Sequence, residues 1–189
     1  METLDHFDKN IMIKTTKIKT PLGEMVAGAT KEGICFLEFT DRENIRDLFE
    51  ELAKVFNTSL RPGIRLNLFR LKKELKEYFS GRRKTFTVKL VTTGTEFQQA
   101  VWKQLQGIPY GETISYQKQA EILSNTAAAR AVAQANASNR IAIVIPCHRV
   151  IGADGALVGY GGGLKRKKWL LNHEKKYSGK AVELDLFQT

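Results

Sequence analysis

The strongest constraint on this chain is the run Ile141-Ala142-Ile143-Val144-Ile145, closed by Pro146 and followed at once by Cys147-His148-Arg149-Val150. A continuous apolar run of this kind reads as buried structure. Proline lacks an amide donor and fixes its own φ, so Pro146 ends the run. The chain must therefore leave its core at one defined point, and the side chains presented there are a thiol and an imidazole. The thiolate is the nucleophile of cysteine chemistry, and a neighbouring base is expected to pull its pKa down from a free value of about 8.5. Taken alone, the pair is better explained by a buried cysteine beside a surface histidine, since free cysteine is a common core residue. The rest of the chain decides between the two.

Hydrophobic residues make up 42% of the 189 positions, which suffices for a packed core and argues against disorder. Lys and Arg outnumber Asp and Glu by 30 to 20, a formal charge of +10. Such a protein is drawn to polyanions, of which nucleic acid is the commonest, although solubility alone also accounts for the charge. Two cysteines, Cys35 and Cys147, make no disulfide framework and fit a reducing compartment. No N-terminal stretch has the pattern of a secretory leader, and the apolar runs fall far short of the roughly 20 residues of a membrane span. A soluble protein with no membrane partner is expected, cytoplasmic, or nuclear if the source is eukaryotic.

The first half reads as strands followed by helices. Ile11–Lys19, Glu24–Thr30 and Ile34–Phe39 are β-prone runs separated by Pro21-Leu22-Gly23 and by Gly33. Ile45, Leu48, Phe49, Leu52, Val55 and Phe56 mark one amphipathic helix, and Leu68, Leu71, Leu75, Tyr78 and Phe79 a second, stopped by Gly81. Phe86, Val88 and Leu90 alternate as a returning strand would. Nothing in this half assembles a reactive constellation. Residues 92–94 form a linker, after which Thr95-Glu96-Phe97-Gln98 fits a capping box. Ser115 can cap a helix carrying Tyr116, Ala120, Ile122 and Leu123; Asn125 sits in a turn; Thr126 can cap an alanine-packed helix over 127–137. A last helix holds Leu164, Trp169, Leu170 and Leu171 and a basic stretch, Lys165-Arg166-Lys167-Lys168. The expected organisation is an α/β N-terminal domain over 1–91, then a mostly α-helical C-terminal domain over 95–177 containing a helix-turn-helix DNA-binding motif, then a tail over 178–189.

The chain has three histidines, and two of them bear on Cys147: His148 touches it, and His173 precedes Glu174. A nucleophile needs a base, and the base needs an orienting carboxylate. Cys147, His148 and Glu174 can supply that set, although a glutamate on a helix is more simply read as solvated. Adjacent side chains diverge, so a water is the natural bridge between thiol and imidazole.

The segment Ile145-Pro146-Cys147-His148-Arg149-Val150-Ile151 resembles the active-site signature of the O6-alkylguanine-DNA alkyltransferases, the methylated-DNA–protein-cysteine methyltransferases. The resemblance runs over about residues 94–174. It takes in Thr95–Gln98, Ile108-Pro109-Tyr110-Gly111-Glu112-Thr113, Ser115-Tyr116, Ala128–Val132, Asn139, Gly159–Leu164 and Trp169–Glu174. The resemblance implies direct repair of DNA by a protein consumed in the act. An alkylated guanine in double-stranded DNA is flipped out, and its O6-alkyl group passes to Cys147; O4-alkylthymine is a candidate second lesion. It further implies that His148 takes the thiol proton through water, that Glu174 orients His148, and that Asn139 fixes the active-site turn. Tyr116 would crowd the 3′ phosphate. Arg130 would enter the base stack from a helix whose Ala128 and Ala129 let it sit deep in the groove. Tyr160 and the Gly161–Gly163 loop would line the guanine pocket, and the carbonyls of Cys147 and Val150 would accept from its exocyclic amine. No cofactor and no metal are implied, Cys35 being without a partner ligand and His6 distant, and a monomer is expected.

Physical chemistry asks for the same parts. A base inside a duplex hides its reactive edge, so it must be extruded, at a few kcal/mol, leaving a gap to fill. Arginine stacks on bases and pairs with them. An alanine-rich helix suits a minor groove about 6 Å wide. The sequence departs from the family pattern at Arg140, where many members have proline, at Gly161, where some have serine, and at Ser124-Asn125-Thr126, a reduced form of a glycine-rich turn. None removes a reacting group, and all bear on the breadth of substrates. Two other classes compete: a helix-turn-helix regulator without chemistry, which leaves Cys147-His148 unexplained, and a cysteine hydrolase, which leaves the DNA-binding pattern idle.

Overall fold

Pro21-Leu22 turns the chain back on itself at its first opportunity. Strand β1 (Ile13–Thr20) runs antiparallel to β2 (Gly23–Ala29), with Thr20 paired to Gly23. Gly23 takes φ 114° at that turn, a conformation glycine reaches without strain. The computed structural model describes residues 12–123 and 129–179. Strand β3 (Ile34–Phe39) pairs antiparallel with β2, and every one of its residues is buried. Helix α1 (Ile45–Val55) follows, then β4 (Leu60–Pro62), which runs parallel to β1 at the sheet edge and gives the order β3-β2-β1-β4. Pro62 ends this strand, and the edge position tolerates its missing amide. Helix α2 (Leu66–Phe79) packs on the sheet, buries Leu68, Leu71, Leu75 and Tyr78, and is stopped by Gly81 at φ 76°.

The alternation of Phe86, Val88 and Leu90 does not make a strand. Only a parallel bridge between Ile34 and Leu90 forms, with Ile34 N donating to Lys89 O at 2.8 Å and Val91 N to Ile34 O at 2.8 Å. The amide and hydroxyl of Thr87 are taken instead by the Glu74 carboxylate, so a side chain rather than a ladder holds the segment.

Helix α3 (Glu96–Gln106) opens on the capping box: Thr95 Oγ1 accepts from Gln98 N at 3.2 Å, and Gln98 Oε1 accepts from Thr95 N at 2.9 Å. Strand β5 (Ile114–Ser115) runs into α4 (Tyr116–Ile122), where Ser115 Oγ accepts from Lys118 N at 2.9 Å. Helix α5 (Ala129–Ala137) packs on α4 through a buried pair, Asn136 Nδ2 donating to Gln119 Oε1 at 2.7 Å. The expected turn at Asn125 and cap at Thr126 lie outside the described residues. Strand β6 (Val150–Ile151) pairs parallel with β5, and α6 (Leu164–Tyr177) closes the fold. Strands as short as β5 and β6 carry no readable periodicity. Among the described residues, no helix is long and apolar enough to cross a membrane.

The run 141–145 is buried throughout, but as neither helix nor strand. It touches β3 once, Leu37 N donating to Arg140 O and Ala142 N to Leu37 O. It then coils, with Val144 N donating to Ala142 O at 2.8 Å, Ile145 N to Ile141 O at 3.0 Å, and Ile143 at φ 71°. A β-branched residue in that region is strained, by about 1–3 kcal/mol, and persists only where packing over-determines it. Here it does. One core cluster joins Met25, Leu37 and Phe39 from the first half to Val101, Leu105, Ile141 and Ile143 from the second.

Cys35 lies in a second cluster with Ile13, Phe36, Leu52 and Phe56, and burial pushes its thiol up to about 12. Cys35→Ser is expected to cost about 1–3 kcal/mol, the desolvation of a hydroxyl in apolar surroundings. A urea midpoint equal to that of the parent would show that the hydroxyl finds a partner.

Candidate active site

The coil 141–145 and Pro146 lead into a short 3-10 turn, Cys147–Arg149. The turn puts Cys147 against a cavity of about 330 Å³ whose walls include Tyr116, Arg130, Val158, Tyr160 and Gly161. Asn139 fastens both ends of the coil and the sulfur itself. Its Nδ2 donates to Ile145 O at 2.9 Å and to Cys147 Sγ at 3.2 Å, and its Oδ1 accepts from Ile141 N at 2.9 Å.

The expected depression of the thiol pKa is reversed. Burial raises Cys147 to about 11; the Asn139 hydrogen bond and Lys167 pull it down and Glu38 pushes it up, but burial outweighs them. At pH 7 such a group is ionised in about one molecule in 10⁴. The resting residue is a thiol, and its chemistry needs a base.

His148, next to Cys147 in the same turn, and Glu174 of α6 are both fully buried. His148 Nε2 faces Glu174 Oε1 at 2.9 Å. Burial pushes the Glu174 carboxyl upward, but His148 and the Arg149 guanidinium outweigh it and hold the group far below the usual carboxylate range. Burial also lowers His148, against the opposing pull of Glu174. The carboxylate can only accept, so Nε2 carries the proton and Nδ1 is bare. Nδ1 is buried and has no hydrogen-bond partner among the described residues.

The structure adds four residues to this set. Arg149 holds Glu174 in a two-pronged bridge, Nε to Oε2 at 2.8 Å and Nη2 to Oε1 at 2.9 Å, while Nη1 donates to Ile108 O at 2.6 Å. A buried glutamate needs a cation, and the one beside His148 in the motif was the readable signal. Tyr78 donates its hydroxyl to Glu174 Oε1 at 2.8 Å, so the first half does contribute to the site, contrary to the sequence reading. Gly111 N completes the shell at 3.1 Å from Oε2. Lys167, inside the basic stretch, is fully buried and lies 5.7 Å from the Tyr116 ring centre. Its Nζ donates to Val150 O and Val158 O at 2.5 Å and to Gly159 O at 3.1 Å, and burial lowers it to about 8.

Of the other residues singled out in the sequence, Tyr116 begins α4 and its hydroxyl lies 3.3 Å from Val158 O and 3.2 Å from Gly159 O. Tyr160 meets His148 edge-on at 6.4 Å between ring centres. Ala129 and the exposed Arg130, at the start of α5, border the cavity. The Val150 carbonyl already receives Lys167, which leaves it a second lone pair. Ala128 lies outside the described residues. The glycine loop has a use beyond access for a ring. A Cβ on Gly161 would lie 3.3 Å from Arg42 Cζ, and one on Gly162 would lie 2.8 Å from Tyr160 Cε1 and 2.9 Å from the Phe39 ring, so Gly161 makes room for the first half of the chain and Gly162 for that half and for Tyr160 together.

Two family models match the chain: 6-O-methylguanine DNA methyltransferase, ribonuclease-like domain, over residues 13–92, and 6-O-methylguanine DNA methyltransferase, DNA binding domain, over 96–176. The first of these covers the half that lies outside the sequence resemblance over 94–174. A methylated-DNA–protein-cysteine methyltransferase of Methanosarcina acetivorans is 40% identical over 159 residues, covering 82% of this chain and 94% of the relative. The constitutive one of Bacillus subtilis is 44% identical over 161 residues, covering 85% and 94%. The crystal structure of Mycobacterium tuberculosis O6-methylguanine methyltransferase superposes with a TM-score of 0.76 at 37% identity, covering 92% of this chain and 97% of that one. A crystal structure of the Mycobacterium tuberculosis protein in complex with DNA gives 0.75 at 38% identity, covering 87% and 94%. With both halves matched and relatives of this identity covered almost end to end, the chain belongs to the 6-O-methylguanine DNA methyltransferase family.

Proposed function

We propose that this protein repairs DNA by direct reversal, Cys147 accepting the alkyl group from O6 of a guanine flipped out of the duplex. The observation that carries this is the Cys147 thiol on the wall of a cavity of about 330 Å³, held by Asn139 and followed in the chain by the His148 of a buried His148–Glu174 pair, in a chain with a matched DNA-binding domain. The thiol proton passes through a water to His148 Nδ1. A carbon–sulfur bond forms as the carbon–O6 bond breaks; the electron pair of that bond passes to the leaving base, which takes up one proton at N1 and so becomes guanine, balancing the proton the thiol gave up. The thioether has no route back, so each molecule reacts once. Asn139 holds the sulfur in place and Glu174 stabilises the imidazolium. A regulator that only binds DNA has no use for a buried carboxylate–imidazole pair whose histidine follows a thiol on a cavity wall.

The duplex is held by phosphate contacts, which position it without reading sequence. Tyr116 crowds the 3′ phosphate, Ala128 and Ala129 admit the helix to the groove, and Arg130 fills the gap in the stack. Tyr160 and Gly161 wall the flipped base, and the carbonyls of Cys147 and Val150 accept from its amine. The protein acts as a monomer in the cytoplasm, its working parts divided at the linker 92–94, with O4-alkylthymine as a second lesion.

The experiment is to mix equimolar protein and duplex DNA carrying a single O6-methylguanine and to record the intact protein mass. One methyl per protein, on the Cys147 peptide, is expected. Binding without any mass gain would establish the regulator, and release of a free product with repeated turnover would establish a hydrolase.

A further inference from the structure

The basic stretch 165–168 divides in the structure, and Arg166 turns away from solvent toward the first half of the chain. Nε donates to Leu22 O at 2.9 Å in the β1–β2 turn, Nη2 pairs with Asp41 Oδ2 at 2.8 Å just past β3, and Nη1 donates to Gly162 O at 3.1 Å in the glycine loop. Its guanidinium carbon lies 4.0 Å from the centre of the Phe39 ring. Phe39 shares the room beside Gly162 with Tyr160, and Arg42 occupies the room beside Gly161. Arg42 is itself fixed, by Glu38 at 2.6 Å and by the carbonyl of Ala137 at 3.4 Å. The loop that walls the cavity with Gly159, Tyr160 and Gly161 therefore rests on side chains of the first half.

We infer that Arg166 is a positioning residue that rivets the glycine loop to the N-terminal half, and that this half thereby sets the width of the pocket and the size of alkyl group it admits. The inference rests on the alkyl-transfer reading of Cys147. A segment with three consecutive glycines has little intrinsic preference for one shape. Lys167 and Tyr116 hold it at residues 158 and 159, and Arg166 is the side chain that holds it at Gly162. Arginine suits the position because its planar fork reaches separate acceptors in fixed directions, which an ammonium cannot do. A firm wall keeps a small alkyl carbon aligned with the sulfur and rejects a large group by clash. Releasing the wall weakens both effects, and so acts in opposite senses on small and large groups.

The test is single-turnover transfer from two duplexes, one carrying O6-methylguanine and one O6-butylguanine, by the parent protein, Arg166→Met, Arg166→Lys and Asp41→Ala. In Arg166→Met the methyl rate falls, and the butyl-to-methyl ratio rises about tenfold, the discrimination a shaped apolar pocket ordinarily supplies. Arg166→Lys behaves like Arg166→Met, because charge alone does not replace the fork. The Asp41 side chain is 65% exposed, so Asp41→Ala leaves folding intact, and it shifts the ratio in the same direction by less. An unchanged ratio in Asp41→Ala and in whichever Arg166 variants fold overturns the inference, as does an equal fall of both rates. The parent's own reaction with the methyl duplex reports separately on the alkyl-transfer reading, since that arm involves no substitution.

Discussion

Cys147→Ser is expected to abolish alkyl transfer, by at least about 10³-fold or some 4 kcal/mol of barrier, while leaving the fold and DNA affinity in place. A serine hydroxyl is a far weaker nucleophile than a thiol, and it needs strong activation to react at all. The new hydroxyl is not left unsatisfied, because Asn139 Nδ2, which now donates to the sulfur at 3.2 Å, can donate to oxygen instead. That provision separates loss of chemistry from loss of structure: the thermal midpoint should match that of the parent. Binding to a duplex should persist with its salt slope unchanged, since phosphate contacts are untouched. The readouts are the methyl count by intact mass after mixing with O6-methylguanine DNA and the salt dependence of binding. Stoichiometric transfer by the serine variant would remove Cys147 from the reaction.

The pH profile of the parent carries a companion consequence. A thiol raised to about 11 that reacted unaided would gain speed about tenfold per pH unit through neutrality. A thiol served by His148 Nδ1 should not, because burial keeps that nitrogen below its ordinary pKa and so already free of a proton. The single-turnover rate is therefore expected to be level over about pH 7–9, the signature of a base that is already in its working form.

Much of this arrangement is legible in the residues because it is local. The capping box at Thr95, the cap at Ser115 and the spacing of both helices in the first half involve partners a few positions apart, and each appears as written. The parts that could not be read are those formed by distant segments. Tyr78 and Glu174 meet across 96 positions, and Arg166 and Leu22 across 144, and neither pairing leaves a periodic trace. Lys167 shows the same limit on a single helix: four consecutive basic residues look alike in sequence, yet one is fully buried among carbonyls. The direction of the thiol shift was misjudged for a related reason. A neighbouring histidine is visible in sequence, whereas the burial that raises the thiol depends on Cys147 sharing one core cluster with Ile141, Ile143 and Ile145. Likewise the alternation at 86–90 was real, but Glu74 supplied the hydrogen bonds that a strand would have taken from a neighbour.

Glu174→Gln should damage both chemistry and stability, and the two effects can be separated. Donors converge on this carboxylate from Tyr78, His148 and Gly111 and twice from Arg149. An amide offers one oxygen and turns an NH₂ group toward some of those donors, so Arg149 is left buried without its counter-charge. Breaking a buried pair in this way costs about 3–5 kcal/mol. The pH dependence of stability follows from the direction of the shift. The folded carboxyl is held below its unfolded value of about 4.3, so its contribution is complete above that pH and fades as pH falls toward the folded value. The parent should lose stability steeply on that side, and the variant, already without the contribution, should show a flatter acid limb. In the chemistry, an amide donor facing Nε2 favours the tautomer with its proton on Nδ1, which cannot then accept one from the thiol. Transfer should slow by about 10²–10⁴-fold, the usual contribution of a positioned base. The slowed reaction should also acquire a rising pH profile, because the thiol must now ionise unaided. Binding to duplex DNA, measured where the variant is folded, should change far less. A variant that is destabilised yet transfers at the parental rate with a level profile would confine Glu174 to holding Arg149 in place.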